Sequence, residues 1–140
     1  MPNNDSLDVS VISVTEETIK DIVHIVRGQK VILASDLAMI YGYTTKSFNQ
    51  QVKNNIDRFD EDFRFQLTDE EFDNLRSKNL TSSWGGTRYN PYVFTESGIY
   101  MLMTVLKGDL AISQSKALIR LFKQMKDYLI DSGGRLKNGQ

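Results

Sequence analysis

Ala34 to Lys53, ASDLAMIYGYTTKSFNQQVK, reads as two short helices joined by a tight glycine turn, the layout of a helix-turn-helix. Ser35 is a good N-cap for the first helix, and Asp36 falls in its first turn, where a negative charge complements the helix dipole. Gly42 follows the apolar Tyr41 and supplies the left-handed conformation that stops a helix at little steric cost. Ala38 is small enough to let a second helix cross close by. Thr44 or Thr45 then caps that second helix. Its apolar residues Phe48 and Val52 share one face and leave Lys46, Asn49, Gln50 and Lys53 on the other. Asn and Gln pair bidentately with adenine in the major groove, and Lys reaches guanine or phosphate. Thr44, Thr45, Lys46, Asn49, Gln50 and Lys53 are therefore the first candidates for contacts to double-stranded DNA. The same spacing also builds an ordinary helical corner, so the rest of the chain has to decide.

A chain of 140 residues with 40% hydrophobic content buries one ordinary core, which predicts a single domain. No apolar run reaches the ~18 residues needed to span a bilayer, and the N-terminal Met is followed by polar residues. The expectation is a soluble, cytoplasmic protein with no membrane partner. Cysteine is absent and His24 is the one histidine, which leaves no disulfide framework and no ligand cluster, so neither metal nor cofactor is expected. His24 lies in the alternating run Ile22 to Val26 and reads as a strand histidine rather than a catalytic base. The formal net charge of −1 argues against nucleic acid, whose binders usually carry a basic balance. The distribution softens that objection. Asp60 to Arg76 holds seven acids against two bases, whereas Lys30 to Phe59 holds four bases against two acids and Lys107 to Gln140 seven bases against three acids.

Residues Met1 to Val14 are assigned to a flexible tail, residues 15–131 to one α+β domain, and Ser132 to Gln140, with Gly133-Gly134, to a flexible end or linker. Within the domain, Thr15-Glu16-Glu17-Thr18 can start a short helix. Asp21 to Arg27 and Lys30 to Leu33 read as two strands around Gly28-Gln29, a hairpin ahead of the helix pair. Phe63 to Leu67 alternates as a half-buried strand does, and Thr68-Asp69-Glu70-Glu71 is a capping box that opens a helix to about Lys78, with Phe72 and Leu75 inward. Asn79 to Pro91 is loop, Tyr92-Val93-Phe94 a short strand, and Thr95 the cap of a helix carrying Ile99, Leu102, Met103 and Leu106 and stopping at Gly108. The longest helix spans Ala111 to Ile130, with Leu118, Leu121, Phe122, Met125, Tyr128 and Leu129 on one stripe. That stripe serves either the domain's own core or a homodimer seam.

The loop LTSSWGGTRYNPY, Leu80 to Tyr92, holds the one tryptophan and a Gly-Gly pair among polar residues. One reading is a long hairpin in which Trp84 and Tyr92 close a satellite core. The other is a wing, in which Gly85 and Gly86 allow close approach to a backbone while Ser82, Ser83 and Arg88 donate to phosphates. A nucleophilic serine has no base of suitable type in view and no Gly-x-Ser-x-Gly elbow, so the chain is not expected to be an enzyme.

Taken in order, RGQKVILASDLAMIYGYTTKSFNQQVKNNIDRFDEDFRFQLT and SSWGGTRYNPYVFTESGIYML resemble the KilA-N-related "ORF six N-terminal" DNA-binding domain of phage and prophage antirepressor-type proteins. The resemblance covers roughly Ile22 to Leu106 and rests on the RGQKV, DLAxxYG, RFDEDFxFQLT and SSWGG…PYxFTExG blocks in their order and spacing. It implies a small α+β DNA-binding module acting in phage or mobile-element regulation of transcription, without enzymatic activity. Its rival is a protein-interaction module that inactivates a repressor protein by direct contact through the acidic helix from Asp69 to Lys78 or the last helix.

Overall fold

Thr15 opens the first helix by a reciprocal cap: its hydroxyl accepts from the Thr18 amide (3.2 Å), and the Thr18 hydroxyl accepts from the Thr15 amide (3.0 Å). The computed structural model describes residues 14–78 and 89–134, with side chains through residue 125. Helix α1 (Glu16–Ile22) runs directly into strand β1 (Val23–Val26), so Asp21 and Ile22, expected in the strand, belong to the helix. Arg27 and Gly28, at φ of 55° and 74°, make the two-residue turn into β2 (Gln29–Leu33). Positive φ at both central positions matches the right-handed twist of a hairpin. A left-handed arginine is costly, and its side chain is held on both sides. Its Nε and Nη2 reach the Glu71 carboxylate at 2.8 and 3.1 Å, and its guanidinium lies 4.0 Å from the centre of the Phe65 ring.

From β2 the chain enters α2 (Ala34–Tyr41) with no side-chain cap. Leu33 occupies the N-cap position because it is still paired with Val93 in the sheet and is buried, which places Ser35, the expected cap, inside the helix. After α2 come α3 (Thr45–Lys53), a 3-10 turn (Ile56–Arg58), β3 (Arg64–Gln66), α4 (Asp69–Lys78), β4 (Tyr92–Thr95), α5 (Glu96–Val105) and α6 (Asp109–Gly134). The capping box of α4 is formed: the Thr68 amide donates to Glu71 Oε1 (2.8 Å) and the Glu71 amide to Thr68 Oγ1 (3.1 Å). Glu71 thus caps α4 and pairs with Arg27 at once. Helix α5 ends at Val105, before the expected stop; Gly108, at φ 102°, serves instead as the link to α6.

The strands form one antiparallel sheet in the order β1-β2-β4-β3. Alternation along the strands gives it two apolar faces. Val26, Val31, Leu33, Phe65 and Val93 meet Phe72 and Leu75 of α4 on one. Ile32 and Phe94 meet Leu37, Phe48, Ile99, Leu102, Leu118 and Phe122 on the other. Helix α4 and the helix pair α2–α3 therefore lie on opposite sides of the sheet. Leu118, Phe122 and Met125 of α6 are buried in this chain's own core. Tyr128 and Leu129 lie outside the described side chains.

Candidate nucleic-acid interface

Gly42, at φ 76° and ψ 30°, ends α2 in the left-handed conformation, and the next amide, Tyr43, donates back to Ala38 O at 2.8 Å. That closure tightens the helix end and sets the angle at which α3 leaves. Thr44 is the N-cap of α3: its hydroxyl accepts from the Ser47 amide (3.1 Å) and donates to Ser47 Oγ (2.9 Å). Phe48 and Val52 are wholly buried. Phe48 is surrounded by rings, stacked on Tyr41 with centroids 6.3 Å apart and edge-on to Tyr43 (6.3 Å) and Phe94 (5.6 Å). This aromatic anchor fixes the rotation of α3 about its own axis.

The rotation decides which side chains reach outward. With about 100° per residue, Lys46, Gln50 and Lys53 fall within an arc of about 60° on the side away from Phe48. All three are exposed, as are Thr45 at the helix start and the Thr44 cap. Gln50 Nε2 donates to Asn54 Oδ1 (3.0 Å), which holds the amide along the helix surface. Asn49 departs from the expectation. It follows Phe48 immediately, so it sits on the flank of α3, half-buried, with its Oδ1 buried and without a hydrogen-bond partner. The exposed face is thus Lys46, Gln50 and Lys53, with Asn49 turned aside from it. Ser82, Ser83 and Arg88, and Trp84 with them, lie outside the described residues.

Helix α2 is clamped from behind by α6. The Tyr41 hydroxyl shares a buried 2.5 Å hydrogen bond with Ser115 Oγ, and Gln114 Nε2 donates to the Ile40 carbonyl at 2.9 Å. Burial pushes the Tyr41 phenol up to about 12, so it stays neutral. Lys30 Nζ donates to the Phe122 carbonyl at 2.5 Å, over the Phe122 ring and 3.8 Å from the Glu96 carboxylate, tying β2 to the same helix. The RGQK block therefore acts structurally: Arg27 pins the hairpin to α4 and Lys30 pins it to α6.

Two further buried titratable groups lie in this frame. Asp36, in the first turn of α2, is 2% exposed with Oδ2 unpartnered, and burial pushes its carboxyl up to about 7. His24 on β1 is buried, which lowers its pKa to about 4 and keeps the ring neutral. Sequence reading missed the burial of Asp36, since an acid in a first turn is ordinarily solvated. Arg58, the first residue of the RFDEDFxFQLT block, stands outside the helix pair and was not among the candidate contacts. Among the described residues no cluster of His, Asp and Glu is arranged to hold a metal ion, and no helix is long and apolar enough to cross a membrane.

The description "ORF6N domain" matches residues 21–105, which takes in the hairpin, the helix pair, the sheet and α5. The chain belongs to the ORF6N-domain family. This family is phage-associated and related to KilA-N. No curated protein and no solved structure matches the chain.

Proposed function

We propose that this ORF6N domain is a non-enzymatic, sequence-specific binder of double-stranded DNA that regulates transcription in a phage or prophage setting. The observation that carries the reading is α3 itself: anchored by Phe48 and Val52 and started by Thr44, it offers Lys46, Gln50 and Lys53 as one exposed polar face. A short helix presenting Gln and Lys from a rigid base has the shape and chemistry of a major-groove reader. The net charge of −1 is unevenly placed: exposed Asp69, Glu70 and Asp73 lie on α4, across the sheet from α3, while exposed Asp57, Asp60, Glu61 and Asp62 lie in the segment that follows α3. Selection of bound duplexes from a random pool, followed by binding of variants to the selected site, tests it. Gln50→Ala is expected to lose about 1–3 kcal/mol of sequence discrimination. Lys46→Ala and Lys53→Ala should weaken binding to all duplexes and flatten the salt slope by about one unit each. Variants that bind the selected site as the parent does would remove α3 as the reader.

The acidic outer side of α4 supports a second reading, an antirepressor that disables a repressor protein by contact. DNA binding releases counterions and gives a log–log salt slope near −0.9 for each phosphate, whereas a protein contact responds more weakly. The slope for the parent chain separates the two.

A further inference from the structure

Exposed positive charge on this side of the sheet does not stop at Lys53. Arg58, just beyond α3 in the 3-10 turn, is exposed, and its Nη1 donates to Thr104 Oγ1 on α5 at 3.1 Å. The Thr104 hydroxyl is itself oriented, because its own proton goes to the Met101 carbonyl at 2.8 Å. Its lone pair is thereby presented to the guanidinium. One of the five N–H donors of Arg58 is used in this contact, leaving the rest for another acceptor. The neighbouring Asp57 is exposed and forms no ion pair with Arg58 among the described residues. Helices α3 and α5 touch, and Tyr100 and Thr104, four apart on α5, are both exposed, while Lys107 is exposed in the link to α6, past the extended C-cap Leu106. The result is a guanidinium held against α5 by Thr104, with exposed Lys53 at the end of α3 and exposed Lys107 three residues beyond Thr104.

We propose that Arg58, positioned by Thr104, and Lys107 form a second phosphate-binding strip that carries the DNA contact from α3 onto α5 and grips the sugar-phosphate backbone of the same duplex. This rests on the reading of α3 as a DNA-binding helix. A contact to the sugar-phosphate backbone contributes affinity and orientation rather than sequence choice. A guanidinium already held in place loses little freedom when a phosphate arrives, which favours Arg58 over a free surface arginine.

The test is fluorescence anisotropy of the full chain with a labelled duplex between about 50 and 200 mM salt, on the parent and on Arg58→Ala, Arg58→Lys, Thr104→Val, Lys107→Ala, Lys46→Ala and Lys53→Ala, each checked by thermal melting. Arg58→Ala and Lys107→Ala are expected to lower the slope by about 0.9 and the affinity about eight-fold at ~0.1 M salt, the effect of one counterion no longer released. Arg58→Lys should keep the parent slope. Thr104→Val should keep the slope and the melting temperature while binding several-fold more weakly, as loss of positioning without loss of charge requires. If Arg58→Ala and Lys107→Ala match the parent while Lys46→Ala and Lys53→Ala have lost slope, the strip is overturned and the α3 reading stands. A parent chain without salt-dependent DNA binding overturns both.

Discussion

Replacing Asp36 by Asn changes the pH dependence of stability in a direction the structure dictates. The carboxyl is buried at the start of α2 with one oxygen unpartnered, and its pKa rises from 3.8 to about 7. The helix dipole favours the anion here by about 0.3–1 kcal/mol, too little to offset the loss of water. A folded-state pKa above the unfolded one means that the native state holds the proton more tightly. The stabilisation is complete below pH 3.8 and is lost as pH rises through about 7. A roughly thousandfold difference in proton affinity, at about 1.4 kcal/mol for each tenfold step, amounts to about 4 kcal/mol between those limits.

His24 works in the opposite sense. Its pKa falls from 6.5 to about 4, so its stabilisation is present above 6.5 and is lost as pH falls towards 4. In the parent the two effects largely cancel across the acid range, and the variant separates them. Urea unfolding of Asp36→Asn should show stability falling as pH drops from 6.5 to 4, the His24 effect with the opposing Asp36 contribution removed. The difference between variant and parent should move in the variant's favour by about 4 kcal/mol from pH ~4 to pH ~8. An unpartnered amide in the same place costs about 1–3 kcal/mol at every pH, which shifts the difference curve without bending it. A pH-independent difference between the two proteins would refute the reasoning and place Asp36 in water.

Gly42→Val forces a β-branched residue to a φ of 76° and should cost about 1–3 kcal/mol, lowering the melting temperature with no DNA present; unchanged melting would contradict the left-handed cap. Gly98→Ala puts a Cβ 2.1 Å from the Phe63 carbonyl oxygen, the acceptor of the Thr95 amide, so this helical Ala should destabilise by about 3 kcal/mol, at the upper end of overpacking, although Ala is the better helix former. Calorimetry decides, and a variant as stable as the parent would mean that α5 stands further from Phe63. Phe122→Ala should cost about 3–5 kcal/mol, independent of protein concentration, because the ring fills this chain's own core; a loss that grows on dilution would assign the ring to a homodimer seam.

What was legible in the sequence is what local chemistry controls. Gly42, Thr44, the Thr68–Glu71 box and Thr95 each act within four residues of themselves, and each does in three dimensions what its neighbours announce. Ser35 failed as a cap for a non-local reason: pairing of Leu33 with Val93, sixty positions away, brings α2 straight out of the strand. Asn49 lies off the outermost face of α3 by a matter of angle. Counting residues on a helix separates buried from exposed only when the anchor is known to be wholly sunk, and the depth of Phe48 comes from Tyr41, Tyr43 and Phe94, the last of which belongs to a distant strand.

The apolar stripe of α6 favours the domain's own core in sequence and leaves a dimer seam as the lesser alternative, since either burial asks for the same spacing. Polar contacts add to the apolar ones within the chain. Tyr41 with Ser115, Gln114 with the Ile40 carbonyl and Lys30 with the Phe122 carbonyl all join α6 to the helix pair or to the strand before it. Such bonds hold one surface against one particular neighbour, whereas apolar area accepts any. Yet the family match ends at residue 105, before α6 begins. The part of the chain that resembles other ORF6N domains is therefore braced by a helix outside that resemblance, which reaches β2 through the Phe122 carbonyl and α2 through Ser115 and Gln114.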